Sequence, residues 1–179
     1  MQEINNSDNT ELVVNQMLEL LIQAEQSKFN TKWDIWYHHS LDDWSIGGYR
    51  KIFTIANIKD FWDFHNNIDC LGGITNLNFF LMRENITPIW EDQKNRSGGC
   101  WSVLVPVVNS NTVWKELAVM MVSENLLPNI ITGISINIKN GISVIKIWNN
   151  DRMKSDVSLL PSFLKPYGNI IYRKHQLNY

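Results

Sequence analysis

Two tryptophans in this chain stand where a core tryptophan would be badly placed. Trp44 lies inside HHSLDDWSIGG (residues 38–48) and Trp90 inside PIWEDQKNRSGGCW (residues 88–101). Both segments are polar and rich in turn residues, so both indoles are available as walls of a slot for a flat ligand. Stacking on one aromatic ring is worth ~1–3 kcal/mol per base, and more when the base is cationic, because the indole face is electron-rich. Glu91 follows Trp90 directly. A carboxylate at the edge of such a slot accepts two parallel N–H bonds, of the kind guanine supplies from N1 and N2, and charge-assisted bonds are roughly twice as strong as neutral ones. On the blander reading of the same residues, each indole covers a local apolar patch.

The other chemistries find less support. His38, His39, His65 and His175 form no H-x-x-x-H or H-E-x-x-H arrangement, and the chain has no G-x-S-x-G elbow, no G-x-x-x-x-G-K-[ST] phosphate loop and no G-x-G-x-x-G turn. A metal could be held where His38-His39 precedes Asp42-Asp43, but a solvated loop is the favoured reading. The residues therefore point to recognition without catalysis, with no metal and no cofactor.

At 179 residues the chain fits one domain. A net charge of −2 leaves no broad basic surface for long nucleic acid, though a short nucleotide held locally remains compatible. Cys70 and Cys100 lack C-x-x-C spacing, which suits a reducing, cytoplasmic compartment. The polar, acidic start MQEINNSDNTEL resembles no signal or transit peptide, and no apolar run reaches the ~18–20 residues that span a bilayer. The outlier is eight Trp, of which about two-thirds are expected in the core.

The elements that must position these side chains are legible from periodicity. Residues 1–9 are expected to be disordered, followed by a helix with Leu12, Val13, Met17, Leu20, Leu21 and Ala24 at helical spacing. Strands are predicted near 33–37, 49–56, 76–82 and 100–108. A short helix over 57–68 is opened by Asn57 or by Lys59–Asp60, and a longer one over 109–123 is capped by Ser110 or Asn111. GISINIKNGISVIKIW (133–148) reads as a hairpin, 151–164 as helical and 169–174 as a last strand. Alternation and the hairpin favour an antiparallel sheet, an α+β fold.

The motif W-E-D-x-x-N-x-x-G-G-x-W, here Trp90-Glu91-Asp92, Asn95, Gly98-Gly99 and Trp101, resembles the pattern of the eukaryotic translation initiation factor 4E family, which binds the 7-methylguanosine cap of mRNA. The resemblance runs from about residue 28 to 175. It takes in Trp33-x-x-Trp36-Tyr37, Trp44, Asp60-Phe61-Trp62 with His65-Asn66, Trp114 with Glu116, Ile147-Trp148, and Tyr172 with His175, so that all eight Trp find counterparts. It implies a curved antiparallel sheet of about eight strands backed on its convex face by three helices. An N-terminal extension over 1–27 would precede a cap-binding domain over 28–179. The Asn- and Ile-rich usage marks a divergent member, of the kind a virus or protist would carry.

Carried over position by position, the resemblance implies that Trp44 and Trp90 sandwich the methylated guanine while Glu91 reads its N1–H and N2–H edge. Trp148 would meet the N7-methyl group, and Lys139 would stand where the family uses an Arg against the cap phosphates. Two departures thin that grip: Cys100 replaces a commonly basic residue and Val144 a phosphate-binding Lys. Strand alternation puts Lys146 on the face of Val144 and Trp148, a replacement charge, and Arg173 and Lys174 are further candidates. On the convex face, Ile58, Trp62, Glu116 and Val119 match positions where scaffold or repressor proteins dock a helix bearing Tyr and Leu. Ser27-Lys28-Phe29 and Lys115 depart from the pattern there, and the 10–26 segment could fold back as a mask. The implied protein is a monomeric, cytoplasmic, non-enzymatic translation initiation factor that binds capped mRNA. The alternatives are a cap-binding repressor or decoy that does not recruit the scaffold, and a protein-interaction module on this fold that has lost cap binding.

Overall fold

The computed structural model describes residues 6–40, 42–71, 73–74, 78–139 and 141–176. Its elements run α1 (Asn6–Gln26), β1 (Lys28–His38), β2 (Tyr49–Asn57), α2 (Ile58–Asn67), β3 (Asn78–Arg83), β4 (Gly99–Pro106), α3 (Val107–Val122), β5 (Ile131–Lys139), β6 (Ile142–Asn149) and β7 (Ile171–Lys174). Among the described residues seven strands, in line with the expected sheet of about eight, form one antiparallel sheet in the order β2-β1-β3-β5-β6-β4-β7.

Alternation along the strands gives the sheet two unlike faces. One row of partners across the sheet reads Ile35, Leu81, Ile134, Ile147 and Trp101. These residues are buried with Trp33, Phe79, Val103 and Val105 against Phe61 and Phe64 of α2 and Trp114, Leu117, Ala118 and Met121 of α3. This large cluster is the main core, on the convex side. The neighbouring row reads Trp36, Phe80, Ser135, Lys146 and Ser102. On this concave side Phe80, Met82, Ile86, Cys100 and Trp148 form a smaller apolar cluster, with Trp36, Tyr49 and Trp90 packed against it. The sequence thus builds a second, shallow core on the face that would otherwise meet water.

Local chemistry explains the boundaries. Asn57 caps α2, its side chain accepting from the Asp60 N–H at 2.8 Å. The expected cap of α3 is corrected: that helix begins at Val107 behind Pro106, with no side-chain cap. Ser110 lies inside it and donates to the Ser143 hydroxyl at 2.6 Å, pinning α3 to β6. The helix expected over 151–164 is two short 3-10 segments, Val157–Leu159 and Ser162–Tyr167. Asp156 accepts from the Ser158 N–H to start the first, while Pro161 precedes the second and Pro166 lies within it, so no continuous i→i−4 ladder can form. At the edge of the main core Arg83 donates twice to Glu124, at 2.7 and 2.9 Å, and sits 4.6 Å over the Trp33 ring. Hydrogen bonding from Arg83 is the largest cause holding the Glu124 carboxyl below its ordinary range.

The N-terminal expectation changes as well. Residues 6–9 are helical, and residues 1–5 lie outside the described residues. Leu12, Val13, Met17, Leu20 and Leu21 are 53–64% exposed, because α1 lies beside α2 and β2 without covering its apolar residues. Ile58 and Trp62 stay 37% and 42% exposed, so α1 does not mask the convex face in this structure.

Candidate nucleic-acid interface

The loop after β3 is built to present two side chains. Asp92 accepts from both the backbone N–H and the hydroxyl of Thr87, at 2.8 and 2.6 Å, and from the Lys94 N–H at 2.8 Å. Asn95, fully buried, donates from its amide to the Thr87 and Ile89 carbonyls, each at 2.9 Å. These bonds cross-brace residues 87–95 and leave Trp90 and Glu91 at the rim. Gly98 and Gly99 close the loop against the sheet so tightly that a Cβ on Gly98 would lie 1.8 Å from the Asn149 carbonyl oxygen. No residue but glycine fits there. The 38–48 loop is held differently: the His38 ring donates from Nε2 to the Asp43 carbonyl at 2.8 Å, and Asp43 accepts from the Ser45 N–H at 2.9 Å. Hydrogen bonding from the Ser45 side chain, then from its N–H, holds the exposed Asp43 carboxyl below its ordinary value.

Between the loops lies a cavity of ≈ 380 Å³, whose lining includes Trp44, Trp90, Glu91, Lys146 and Trp148. Five of the six residues expected at a cap slot therefore converge, from β6 and two separate loops. Lys139 is not among the lining residues. It shares the face of Ser135 and Asn137 but lies at the far end of β5, two residues or roughly 7 Å along the strand beyond Asn137 at ~3.3 Å per residue. Sequence reasoning missed Tyr49, Phe80, Ser135 and Asn137, which also line the cavity. The signal was there for Phe80, Ser135 and Asn137, which occupy the polar-side positions of otherwise apolar strands.

A continuous run of rings connects one wall to the other. Trp44 stacks on His38 (centroids 4.1 Å, planes 14° apart), His38 meets Tyr49 at 4.7 Å, Tyr49 meets Phe80 at 5.3 Å, and Phe80 meets Trp148 at 6.1 Å. Trp148 meets His175 at 5.0 Å, and His175 stacks on Trp90 (5.5 Å, 12°). Each wall is thus backed by an imidazole. The floor is fixed by the Trp148 indole donating to the Ser135 hydroxyl at 3.0 Å. His175 donates from Nδ1 to the Asn95 carbonyl at 2.8 Å, tying the Trp90 loop to the end of β7. Burial pushes its imidazole below the ordinary value, opposed by the Asn95 bond, aided by the Lys146 charge and opposed again by Glu91.

Glu91 sets a carboxylate on the slot's lining and Lys146 an ammonium. Burial first, then the Glu91 and Asp43 carboxylates, push the Tyr49 phenol up to about 12. The electron-rich indole faces and the Glu91 carboxylate favour a cation. The arrangement can hold a flat, positively charged ring with N–H donors on one edge. Among the described residues, no three His, Cys, Asp or Glu gather as metal ligands.

On the convex face, Ile58 and Trp62 project from successive turns of α2. Glu116 and Val119 line a hollow of ≈ 530 Å³ on α3 with Lys115, Met120 and Phe163. The Lys115 ammonium lies 5.8 Å from the Trp62 ring and links the two patches.

Comparison with known proteins gives the family and the fold. The family model described as eukaryotic initiation factor 4E matches residues 28–176. The chain is 27% identical over 139 residues to eukaryotic translation initiation factor 4E-3 of Caenorhabditis elegans, covering 72% of this chain and 55% of that protein. It thus spans about half the length of that relative. The solved structure of Ascaris suum eIF4E-3 with an m2,2,7G cap is 24% identical and superposes with a TM-score of 0.70, covering 85% of this chain and 93% of that one. C. elegans eIF4E-3 in complex with the 4E-binding protein Mextli and a cap analog is also 24% identical, with a TM-score of 0.71 over 83% and 94%. With its fold matched and all but the ends of the chain within the family model, the protein belongs to the eukaryotic initiation factor 4E family.

Proposed function

We propose that this protein binds the 7-methylguanosine cap of mRNA in the cytoplasm as a non-enzymatic factor in translation initiation. Trp44 and Trp90 sandwich the methylated base, Glu91 accepts from its N1–H and N2–H, and Trp148 forms the floor beside the methyl group. Lys146 faces the phosphates. The observation that carries the reading is the convergence of these five residues on one cavity, two indoles and a carboxylate among them. The family match and the cap complexes among its structural neighbours support it. The deciding experiment is a titration of intrinsic tryptophan fluorescence with 7-methyl-GTP and with GTP, with strong quenching expected from the first alone.

The exposed α2–α3 face fits a helical peptide carrying Tyr and Leu, and a neighbour solved with a 4E-binding protein supports a partner of that kind. An exposed helical Trp beside an apolar hollow is a typical anchor point for helix docking. Replacing Trp62 by Ala should weaken capture of a Tyr-x-x-x-x-Leu-Leu peptide at least tenfold while leaving retention on a cap resin unchanged. Unchanged peptide capture would place the partner elsewhere. Failure of the native protein to capture any such peptide would instead favour the repressor or decoy reading.

A further inference from the structure

Cys100 is 3% exposed near the start of β4, and each neighbouring strand brings a cation to its face of the sheet. The register sets Cys100 opposite Trp148 of β6 and opposite Arg173 of β7, and sets Ser102 opposite Lys146. Directly opposed residues share a face, as do residues two apart on one strand. Arg173, Cys100, Ser102, Lys146 and Trp148 therefore all face the concave side. β6 and β7 flank β4, so the two cations lie on either side of Cys100; burial pushes its thiol up, and Lys146 and Arg173 both pull against that. Neither takes part in an ion pair among the described residues. Lys146 lines the slot, while Arg173 lines a second hollow with Lys174, Gln176 and Trp90, so Trp90 borders both.

We infer that Arg173 and Lys146, astride Cys100, form an anion site across β6, β4 and β7 that takes the phosphate chain of the ligand whose base fills the slot. The chain then leaves toward β7, away from the β5–β6 turn where Lys139 lies. This inference rests on the slot reading above. A small, uncharged residue at position 100 suits the site, because a long basic side chain there would occupy the space between the two cations and repel both. Arg173 supplies the planar fork that takes two phosphate oxygens at once, and Lys146 supplies a point charge. The grip that Val144 and Cys100 cannot provide is thereby shifted by one strand toward the sheet edge.

The test compares 7-methyl-GTP with the phosphate-free nucleoside 7-methylguanosine on the full chain and on Arg173→Ala, Arg173→Lys and Lys139→Ala. The site predicts that Arg173→Ala weakens 7-methyl-GTP about tenfold, the size of one charge-assisted contact. It predicts no change in nucleoside affinity, a partial loss in Arg173→Lys, and a shallower salt dependence in the Ala variant. The loss at Lys139 should be clearly the smaller. A larger loss at Lys139 than at Arg173 would overturn the route. Equal losses for nucleoside and triphosphate in Arg173→Ala would also overturn it, because the residue would then act through Trp90. If the native protein bound 7-methylguanosine normally but gained nothing from the phosphates, the anion site would fail alone. If it bound neither ligand, the slot reading would fail and the site with it.

Discussion

Substituting Trp90 by Ala should lower the affinity for 7-methyl-GTP by at least about a hundredfold, read by calorimetry. The indole contributes a stack of ~1–3 kcal/mol. A desolvated cation against its face contributes about 2 kcal/mol more, and about 2.8 kcal/mol is already a hundredfold in Kd. The loss should arise without unfolding, because the hydrogen bonds of Asp92 and Asn95 brace the loop independently of the indole's contacts. Far-ultraviolet circular dichroism of the variant should overlay that of the parent. Trp90→Phe, which keeps a face but a less electron-rich one, should recover part of the affinity. A Trp90→Ala protein within threefold of the parent would remove Trp90 from the site.

Glu91→Gln should cost roughly 30-fold or more, the lower range for a hydrogen bond to a charged group of about 2 kcal/mol or above. The substitution is nearly isosteric, so it isolates charge and donor pattern from shape. A carboxylate can accept from N1–H and N2–H together, whereas an amide offers one acceptor and turns an NH₂ toward a donor. Glu91 is also one of the charges that raise Tyr49. Neutralising it should weaken the preference for a cationic ring as well as the reading of the guanine edge. The discrimination between 7-methyl-GTP and 7-methyl-inosine triphosphate, which lacks the N2 amino group, should therefore shrink. Equal affinities of parent and variant for 7-methyl-GTP would show that the edge is read by another group.

The faces of the sheet were legible because strands encode them twice over, by alternation and by residue type. Lys146 was placed beside Trp148 from spacing alone, and the register across β5, β6 and β4 agrees. Four of the eight tryptophans, Trp33, Trp101, Trp114 and Trp148, are buried, fewer than the two-thirds expected, while Trp44 and Trp62 are exposed and Trp36 and Trp90 half-buried. What periodicity hid was long-range register. His175 reaches Trp90 only because β7 pairs with β4 at Cys100–Arg173, a match between residues over seventy positions apart. Alternation likewise put Lys139 on the correct face but carried no information on how far along β5 the slot ends. The Asp151–Leu164 stretch has helical apolar spacing, yet Asp156, Pro161 and Pro166 break it into 3-10 turns. Ser110 looked like a cap because capping residues and buried hydrogen-bonding residues are the same types, and only the position of Ser143 distinguishes them.

The central claim is that the slot recognises a cationic guanine, and its most direct test is the paired fluorescence titration of the unmodified chain. Trp44 and Trp90 should be quenched on stacking by 7-methyl-GTP at concentrations at least about a hundredfold below those needed with GTP, because the two ligands differ in one methyl group and the positive charge it fixes on the ring. Indistinguishable curves for the two nucleotides, or no quenching by either, would contradict the account.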